Sequence, residues 1–229
     1  SEMCIRDRAG IPSYIICSYD FDGRPVKGPY GRNIEYFADY ITSINMVATV
    51  PSIERFMADD DEYFHYLYNK FDNFYFDDYI PDKGFDHLIP SDSKYLDFLK
   101  FVYHNYPDIN PMADLIENES NHMHCMALNK VTIFPDNSTS NCRWNRYTKT
   151  DFNTPLNRGD NASMMQAYMD EHGCLSCSWW NKCGFRCYTQ WDWKNRERDL
   201  PDCVMRMWFN YQQQHQGIHK QLEHDVAYS

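Results

Sequence analysis

The sequence lacks three features, each of which would have defined a class of protein. No apolar run approaches the ~20 residues of a membrane-spanning helix, so we expect no membrane partner. Basic residues are outnumbered, with 22 Lys and Arg against 33 Asp and Glu. The resulting formal charge of −11 argues against binding to nucleic acid. No basic segment followed by an apolar stretch, the pattern of a secretory leader, occurs in the sequence given.

Cysteine is scarce at first and then abundant. Cys4 and Cys17 are the only two in the first 120 residues, whereas the whole sequence contains nine. Nine cysteines without an export signal predict a reducing, cytoplasmic compartment, where dense cysteines bind metal more often than they form disulfides. An exported, disulfide-bonded domain is the alternative. Cys17 stands between Ile16 and Ser18 in a predicted strand and is interpreted as a buried core thiol.

The first region, residues 9–110, shows an alternation of strand and helix patterns. The elements are predicted over residues 13–20 (strand), 32–44 (helix), 46–53 (buried strand closed by Pro51), 59–70 (helix) and 74–80 (strand). A further helix is predicted from the cap candidates at 91–94 to about Tyr103. Asp59, Asp60 and Asp61 indicate a solvated surface turn. This alternation is typical of a parallel α/β sheet.

The second region, residues 111–229, has a different character, a small α+β domain rich in cysteine. A hairpin is predicted to begin at 130–134, since alternating residues precede a Pro-Asp-Asn turn. Residues 161–171 predict a helix that ends at Gly173, and a last helix is predicted from about Val204 to Glu223.

Seven cysteines of the second region follow an unusual spacing. They are Cys125, Cys142, Cys174, Cys177, Cys183, Cys187 and Cys203. Thiolates are soft ligands that favour iron–sulfur clusters or zinc over magnesium or calcium. One Cys4 zinc site explains Cys174, Cys177, Cys183 and Cys203 but leaves three cysteines without a shared purpose. Seven ligands are too many for one four-ligand site and one fewer than the eight that two such sites need. This surplus favours iron–sulfur clusters over a single zinc site.

The spacing resembles that of the SPASM domain, the cysteine-rich C-terminal part of many radical S-adenosylmethionine (radical SAM) enzymes. Cys174 to Cys187 reads Cys-x2-Cys-x5-Cys-x3-Cys, with Cys203 sixteen positions further on. Upstream, Cys125 and Cys142 match the family's first pair, although Asn137 replaces the family glycine. Asn is the next best residue at a positive φ.

The resemblance implies two auxiliary [4Fe–4S] clusters with interleaved ligands. Cys174, Cys177, Cys183 and Cys203 are the implied ligands of a distal cluster. Cys125, Cys142 and Cys187 are the implied ligands of a nearer one. Some family members supply an eighth cysteine just before the first. His122 and His124 stand there in this sequence, so the fourth ligand of the near cluster is one of these histidines, the substrate or none of them.

The first region is similar, less specifically, to the C-terminal half of the partial (β/α)6 radical SAM barrel. The segment around residues 18–24 resembles the end of the fourth barrel strand, which faces S-adenosylmethionine. Ser18, Asp20 and Arg32 are therefore candidate cofactor contacts, and Thr49 is a weaker one. Turn capping and surface solvation are the alternative roles for these side chains.

One defining motif of the family is not in this sequence. The Cys-x3-Cys-x2-Cys loop, which holds the cluster that cleaves S-adenosylmethionine, is absent. Residues 1–8 resemble translated adapter sequence, which predicts non-native residues and a parent protein that began upstream. We therefore expect a truncated chain that forms no 5′-deoxyadenosyl radical by itself. S-adenosylmethionine and a third [4Fe–4S] cluster belong to the intact parent.

The resemblance implies oxidative modification or maturation of a peptide or protein substrate, with a flavodoxin or ferredoxin as electron donor. The alternative is a zinc-binding interaction module without catalysis. Aromatic residues near the cysteines either shield clusters from water or build a small core; they are Trp179, Trp180, Trp191 and Trp193. Arg143, Lys182 and Arg186 either offset cluster charge or form a solvated face.

Overall fold

The computed structural model describes residues 15–19, 34–36, 38–71, 73–79, 86–110, 112, 116, 132–133, 139–140, 166–180, 182–183 and 199–226. The chain divides into two compact units. The sheet unit comprises the described residues up to Asp78 together with 108–110. The cysteine unit comprises the other described residues. Residues 1–8, which the sequence identifies as adapter-like, lie outside the described ranges.

The sheet unit contains three parallel strands in chain order: β1 (Ile15–Ser18), β2 (Ile41–Ala48) and β3 (Phe74–Asp78). Asn110 continues this order as a parallel bridge to Tyr75 at the free edge of β3. Its backbone exchanges two hydrogen bonds with Phe74 and Phe76, of 2.9 and 2.7 Å. The described strands of this unit therefore form a small parallel sheet. The wider partial barrel stays a prediction.

Strand β2 corrects the expected helix over 32–44 and the expected strand over 46–53. Residues 34–36 are helical and Ala38–Tyr40 form a 3-10 turn, but the strand begins at Ile41. Ser43 and Ile44 are consecutive residues on opposite faces of β2 and both are buried, so both faces of this central strand pack against other residues. A strand buried on both faces shows no alternation, so its apolar spacing imitated that of a helix.

Two helices follow β2 in the sheet unit, α1 (Val50–Met57) and α2 (Glu62–Lys70). Pro51 stands in the first turn of α1, where its missing N–H costs no helical hydrogen bond, so it begins a helix and does not close a strand. The Thr49 hydroxyl caps this helix by accepting from the Ser52 N–H at 3.2 Å. Both helices bury apolar residues against the sheet's aromatic side chains, which hold the unit together.

The core of the sheet unit is centred on Phe56 of α1. Its ring meets Phe64 of α2 edge-on at 4.9 Å between centroids and Phe76 of β3 at 5.0 Å. All three rings are buried. Edge-to-face pairs of this kind contribute beyond the apolar area they bury, so Phe56 links α1 to both α2 and β3.

The aspartate-rich turn is only partly the solvated turn that the sequence indicates. Asp59 and Asp60 are exposed, and Asp59 has a φ of 55°, a conformation that Asp tolerates better than most residues. Asp61, however, is 13% exposed and caps α2 by accepting from the Tyr63 and Phe64 N–H groups at 3.1 and 2.9 Å. Its other oxygen accepts from the buried Tyr19 hydroxyl at 2.9 Å. Asp61 is thus a structural residue of the sheet unit.

The cysteine unit contains two long helices that pack together, α3 (Asp92–Asn105) and α4 (Val204–Val226). Buried Tyr103 and Trp208 meet edge-on at 5.3 Å between centroids. Helix α3 therefore belongs with the cysteine unit, although its residues fall before the boundary near 110 that the sequence indicates. Among the described helices, none is both long and apolar enough to span a bilayer.

Two shorter elements complete the described part of the cysteine unit. Strands β4 (Thr132–Ile133) and β5 (Thr139–Ser140) pair antiparallel, which agrees with the predicted hairpin. A helical segment at 166–171 leads into the turn at Gly173, as the sequence indicates. The start of the predicted helix at 161–165 lies outside the described residues.

Candidate metal centre

Four cysteines that are spread over thirty positions of the sequence line one pocket in the cysteine unit. They are Cys174, Cys177, Cys183 and Cys203, the four that the spacing groups as the distal ligand set. The pocket contains about 310 Å³ of empty space, part of it open to solvent. Its remaining lining is mostly aromatic or polar, with Met205 as the exception, and includes Trp179, Trp180, Phe209, His172 and Arg206.

A tight turn presents the first two cysteines together. Gly173 has a φ of 59° and a ψ of 37°, a left-handed conformation that favours glycine, and it directly precedes a 3-10 turn at Cys174–Ser176. The Cys177 N–H donates to the Cys174 carbonyl at 3.0 Å and closes this turn. The Ser176 hydroxyl also donates to the Gly173 carbonyl at 3.0 Å. Local backbone geometry therefore brings both thiols to the same wall of the pocket.

Trp179 positions Cys183. The Trp179 carbonyl accepts from the Cys183 N–H at 2.8 Å and from the Lys182 N–H at 2.9 Å. Its indole ring stacks on Phe209 of α4 with centroids 5.3 Å apart, and its Nε1 donates to Asn210 Oδ1 at 2.8 Å. The tryptophan therefore fixes the third cysteine relative to α4. Trp179 also lines the pocket, so it covers the thiols and packs at the same time.

Cys203 stands immediately before α4, and its carbonyl accepts the Met207 N–H at 3.0 Å as the first bond of that helix. The Cys203 N–H donates to Asp202 Oδ1 at 2.7 Å. The positive end of the macrodipole of a 23-residue helix therefore lies beside this thiol. Negative charge is stabilised at such a position, which suits an anionic metal–thiolate group.

The thiols interact with one another electrostatically. The pKa of Cys174 is raised to about 12, chiefly by burial and to a smaller extent by the neighbouring Cys203, Cys183 and Cys177, whereas Arg206 acts in the opposite direction. A thiol with this pKa is protonated at neutral pH. Metal binding therefore has to displace a proton from Cys174. A bound metal cation would then compensate the negative charge of the thiolate.

Arg206 is the functional residue that the sequence did not indicate. Its Nε donates to Cys177 Sγ at 3.4 Å, so a guanidinium directly contacts one of the four sulfurs. The hydrogen bond to Cys177 is the main cause that raises the pKa of Arg206 above its usual value. A signal was present, since Arg206 lies three residues after Cys203 on a predicted helix and such neighbours share a face.

The described cysteines of this pocket are thiols and none forms a disulfide. Among the residues that the structure describes, no three His, Cys, Asp or Glu side chains are grouped closely enough to hold a single metal ion. The sulfurs are nevertheless near enough for three of them to affect the pKa of the fourth. The shared pocket and the soft donor set are therefore the observations that bear on metal binding here.

Most of the other predicted site residues lie outside the described residues. These are Cys125, Cys142 and Cys187 of the near set, the cofactor candidates Asp20 and Arg32, the histidines His122 and His124, and Asn137, Arg143, Arg186, Trp191 and Trp193. Trp180 lines the pocket with Trp179. The Lys182 ammonium lies 5.9 Å from the centroid of the Trp179 ring.

The described candidates of the sheet unit lie at or near the carboxyl ends of its strands. Ser18 is the last residue of β1 and pairs in register with Asn45 of β2, whose side chain donates to Asp77 of β3 at 2.7 Å. Thr49 instead caps α1, which accounts for its polarity. Cys17 of β1 is only partly buried, and that burial raises its pKa.

No protein-family model, curated protein or solved structure matches the chain. The resemblance to radical SAM enzymes therefore rests on the cysteine spacing and stays a prediction.

Proposed function

We propose that the chain is the auxiliary-cluster part of a radical SAM enzyme with a SPASM domain, and that it binds two [4Fe–4S] clusters. One observation carries the proposal. The four cysteines that the spacing groups as the distal set, from Cys174 to Cys203, line the same pocket of the cysteine unit. Such convergence of residues far apart in sequence is what a shared ligand requires.

The donor set fits an iron–sulfur cluster. Four cysteine thiolates are the usual ligands of a [4Fe–4S] cluster, and aromatic walls limit the access of water to it. A hydrogen bond to a ligand sulfur, as from Arg206 to Cys177, is a usual way to tune such a cluster. When bound, the cluster supplies one-electron redox chemistry. Zinc also accepts four thiolates, so the zinc-binding module is the competing outcome of the experiment.

The sheet unit supports the same proposal less directly. Its strands follow one another in chain order and Asn110 extends that order, as in a (β/α) barrel and unlike a doubly wound sheet, whose order reverses. Ser18 and Asp77 lie toward the carboxyl ends of their strands, where α/β proteins bind ligands. Ser18, Asp20 and Arg32 remain our candidates for contacts to S-adenosylmethionine.

In the enzyme that we propose, the residues of this chain hold and shield the auxiliary clusters and do not generate the radical. Four thiols would lose their protons and hold the distal cluster as thiolates, Trp179 and Trp180 would cover it, and Arg206 would donate a hydrogen bond to one ligand sulfur. The near set, Cys125, Cys142 and Cys187, is proposed to hold the second cluster. We propose a peptide or protein substrate and a flavodoxin or ferredoxin donor, because the family resemblance implies them.

Anaerobic purification and reconstitution with iron and sulfide test this proposal. We expect about eight irons and about eight acid-labile sulfides per chain, with a brown protein whose broad absorption near 400 nm bleaches on reduction. A colourless protein that retains one zinc and no sulfide would support the interaction module instead. That result would overturn the cluster proposal.

The interleaved assignment has its own test in Cys187→Ala. This change is expected to deplete the near cluster, lowering the iron content by about half, while the distal cluster assembles. Hydrogen exchange across 166–183 serves as the folding control, since metal binding and folding are coupled in small metal domains. Equal loss of both clusters in a folded variant would contradict the assignment.

A further inference from the structure

Arg206 is held from three sides at the cysteine pocket. Its Nε donates to Cys177 Sγ at 3.4 Å, its Nη1 to Asp202 Oδ1 at 2.9 Å, and its Nη2 to the His172 carbonyl at 3.2 Å. The side chain is 29% exposed, so most of its length is packed. Three partners from two chain segments leave the guanidinium little rotational freedom, unlike a solvated surface arginine.

This geometry places the permanent positive charge of Arg206 beside Cys177 Sγ, and the negative charge of Asp202 beside the Arg206 guanidinium. Arginine keeps its proton at any relevant pH, and its planar fork holds hydrogen bonds in fixed directions. Asp202 partly compensates the charge of the guanidinium through its ion pair with Nη1, and the Asp202 Oδ1 atom also accepts the Cys203 N–H. The two residues therefore form a charge pair that contacts ligand Cys177 and ligand Cys203.

We propose that Arg206 is a positioning residue that raises the reduction potential of the distal cluster through its hydrogen bond to Cys177, and that Asp202 limits this effect. The inference rests on the proposed function. The inference goes beyond the proposed function because it assigns control of the reduction potential of the distal cluster to two residues outside the cysteine motif.

The sign follows from charge. Reduction adds one electron to a cluster that four thiolates already make negative, the external donor loses that electron, and no bond forms or breaks. The nearby cation stabilises the more negative, reduced state more than the oxidised one. Removal of the cation therefore makes reduction harder, and removal of the compensating carboxylate makes it easier.

The experiment is a redox titration, monitored by electron paramagnetic resonance, of the reconstituted full chain and three variants. Arg206→Gln is expected to lower the equilibrium constant for reduction about tenfold, a shift of about 59 mV to more negative potential for one electron. Arg206→Lys keeps the charge and should fall between wild type and Arg206→Gln. Asp202→Asn keeps the oxygen that accepts from Cys203 and should shift the potential in the positive direction.

The second cluster gives an internal control, because its one-electron transition should stay where it is in all three variants. Unchanged potentials in iron-loaded variants, or shifts of the same sign in Arg206→Gln and Asp202→Asn, would overturn this inference and leave the proposed function intact. A wild-type chain that takes up no iron and sulfide overturns both. If Arg206→Gln fails to hold the distal cluster, Asp202→Asn decides, since only an electrostatic role predicts its positive shift.

Discussion

Phe56 in the sheet unit packs against two aromatic rings, whereas Cys174 in the cysteine unit shares a pocket with three other thiols and a guanidinium. The first environment stabilises the fold by excluding water from apolar surface. The second raises the pKa of Cys174 and becomes favourable when a cation binds the sulfurs. The difference indicates that the Phe56 core needs no ligand, whereas the pocket at Cys174 would be stabilised by the metal that we propose for it.

The largest expected effect tests the four-cysteine pocket of the cysteine unit, which we propose is stabilised by a ligand. Cys203→Ser should abolish the distal cluster, so the iron content falls from about eight to about four per chain. Metal binding in small cysteine domains contributes on the order of 10 kcal/mol to folding, so hydrogen exchange across 166–183 should also rise steeply. Iron and sulfide analysis and exchange mass spectrometry measure the two effects.

Cys17→Ser is the matched control for this change. Cys17 lies in β1 of the sheet unit and does not line the pocket, so the same substitution should leave the iron content unchanged. If both variants retained the wild-type amount of iron, the four-cysteine pocket would not be a metal centre.

The next effect tests the ligand-independent side. Phe56 is 2% exposed and packs on two other rings, so Phe56→Ala should leave a cavity and cost about 3–5 kcal/mol. The free energy of opening, measured by hydrogen exchange of peptides that span β2 and β3, should fall by this amount. The iron content should not change, because the predicted ligands lie outside the sheet unit.

Tyr66→Ala provides the control, since it also removes an aromatic ring from this unit. Tyr66 is 44% exposed, and surface substitutions of this kind stay within about 0.5 kcal/mol. A similar loss in both variants would show that burial at Phe56 does not carry the stability of the sheet unit.

These two regions also differ in how far the sequence predicts them. The resemblance to the SPASM motif predicts the four distal cysteines as one set, because ligand spacing is encoded in a short motif. Helix α2 and strand β3 were also predicted, since each has one solvated face and shows the corresponding period. Strand β2 was not, because it is buried on both faces. The sequence does not predict the contact of Arg206 with Cys177, because that contact depends on where the turn at Cys177 packs.

The third effect tests how polar residues support the sheet unit. Asp61→Ala removes the cap of α2 and leaves the buried Tyr19 hydroxyl without its acceptor, so we expect a loss of about 1–3 kcal/mol. Asp60→Ala is the neighbouring control, because Asp60 is 61% exposed and only forms an ion pair with Arg55 at 3.5 Å. An exposed pair of this kind is worth about 0–1 kcal/mol. Urea denaturation measures the free energy of unfolding of the two variants. Equal losses would show that Asp61 is only a residue of a solvated turn, as the sequence indicates.

The smallest expected effect concerns Asp199, which connects the segment before Cys203 to the start of α3. Its carboxylate accepts from the Asp92 N–H at 3.1 Å and from the Ser93 N–H at 3.2 Å, so it binds the positive end of that helix. Burial alone would raise the pKa of Asp199, but the hydrogen bonds from Ser93 and Ser91 outweigh it and lower the pKa below its model-compound value of 3.8. The folded state therefore favours the ionised form.

Because the folded pKa is the lower one, the contribution of Asp199 is fully present above pH 3.8 and is lost as the pH falls through the folded value. Asp199→Asn should thus weaken α3 by about 0.3–1 kcal/mol, a range that suits an exposed charge at a helix end, and by the same amount at pH 6 and pH 8. Hydrogen exchange of the first turn of α3 measures this loss. Asp97→Asn, on the same helix but away from its N-terminus, should have no such effect. A loss that grows between pH 6 and pH 8 would mean that another group titrates there, and that the cysteine unit depends on more than the cap and the metal.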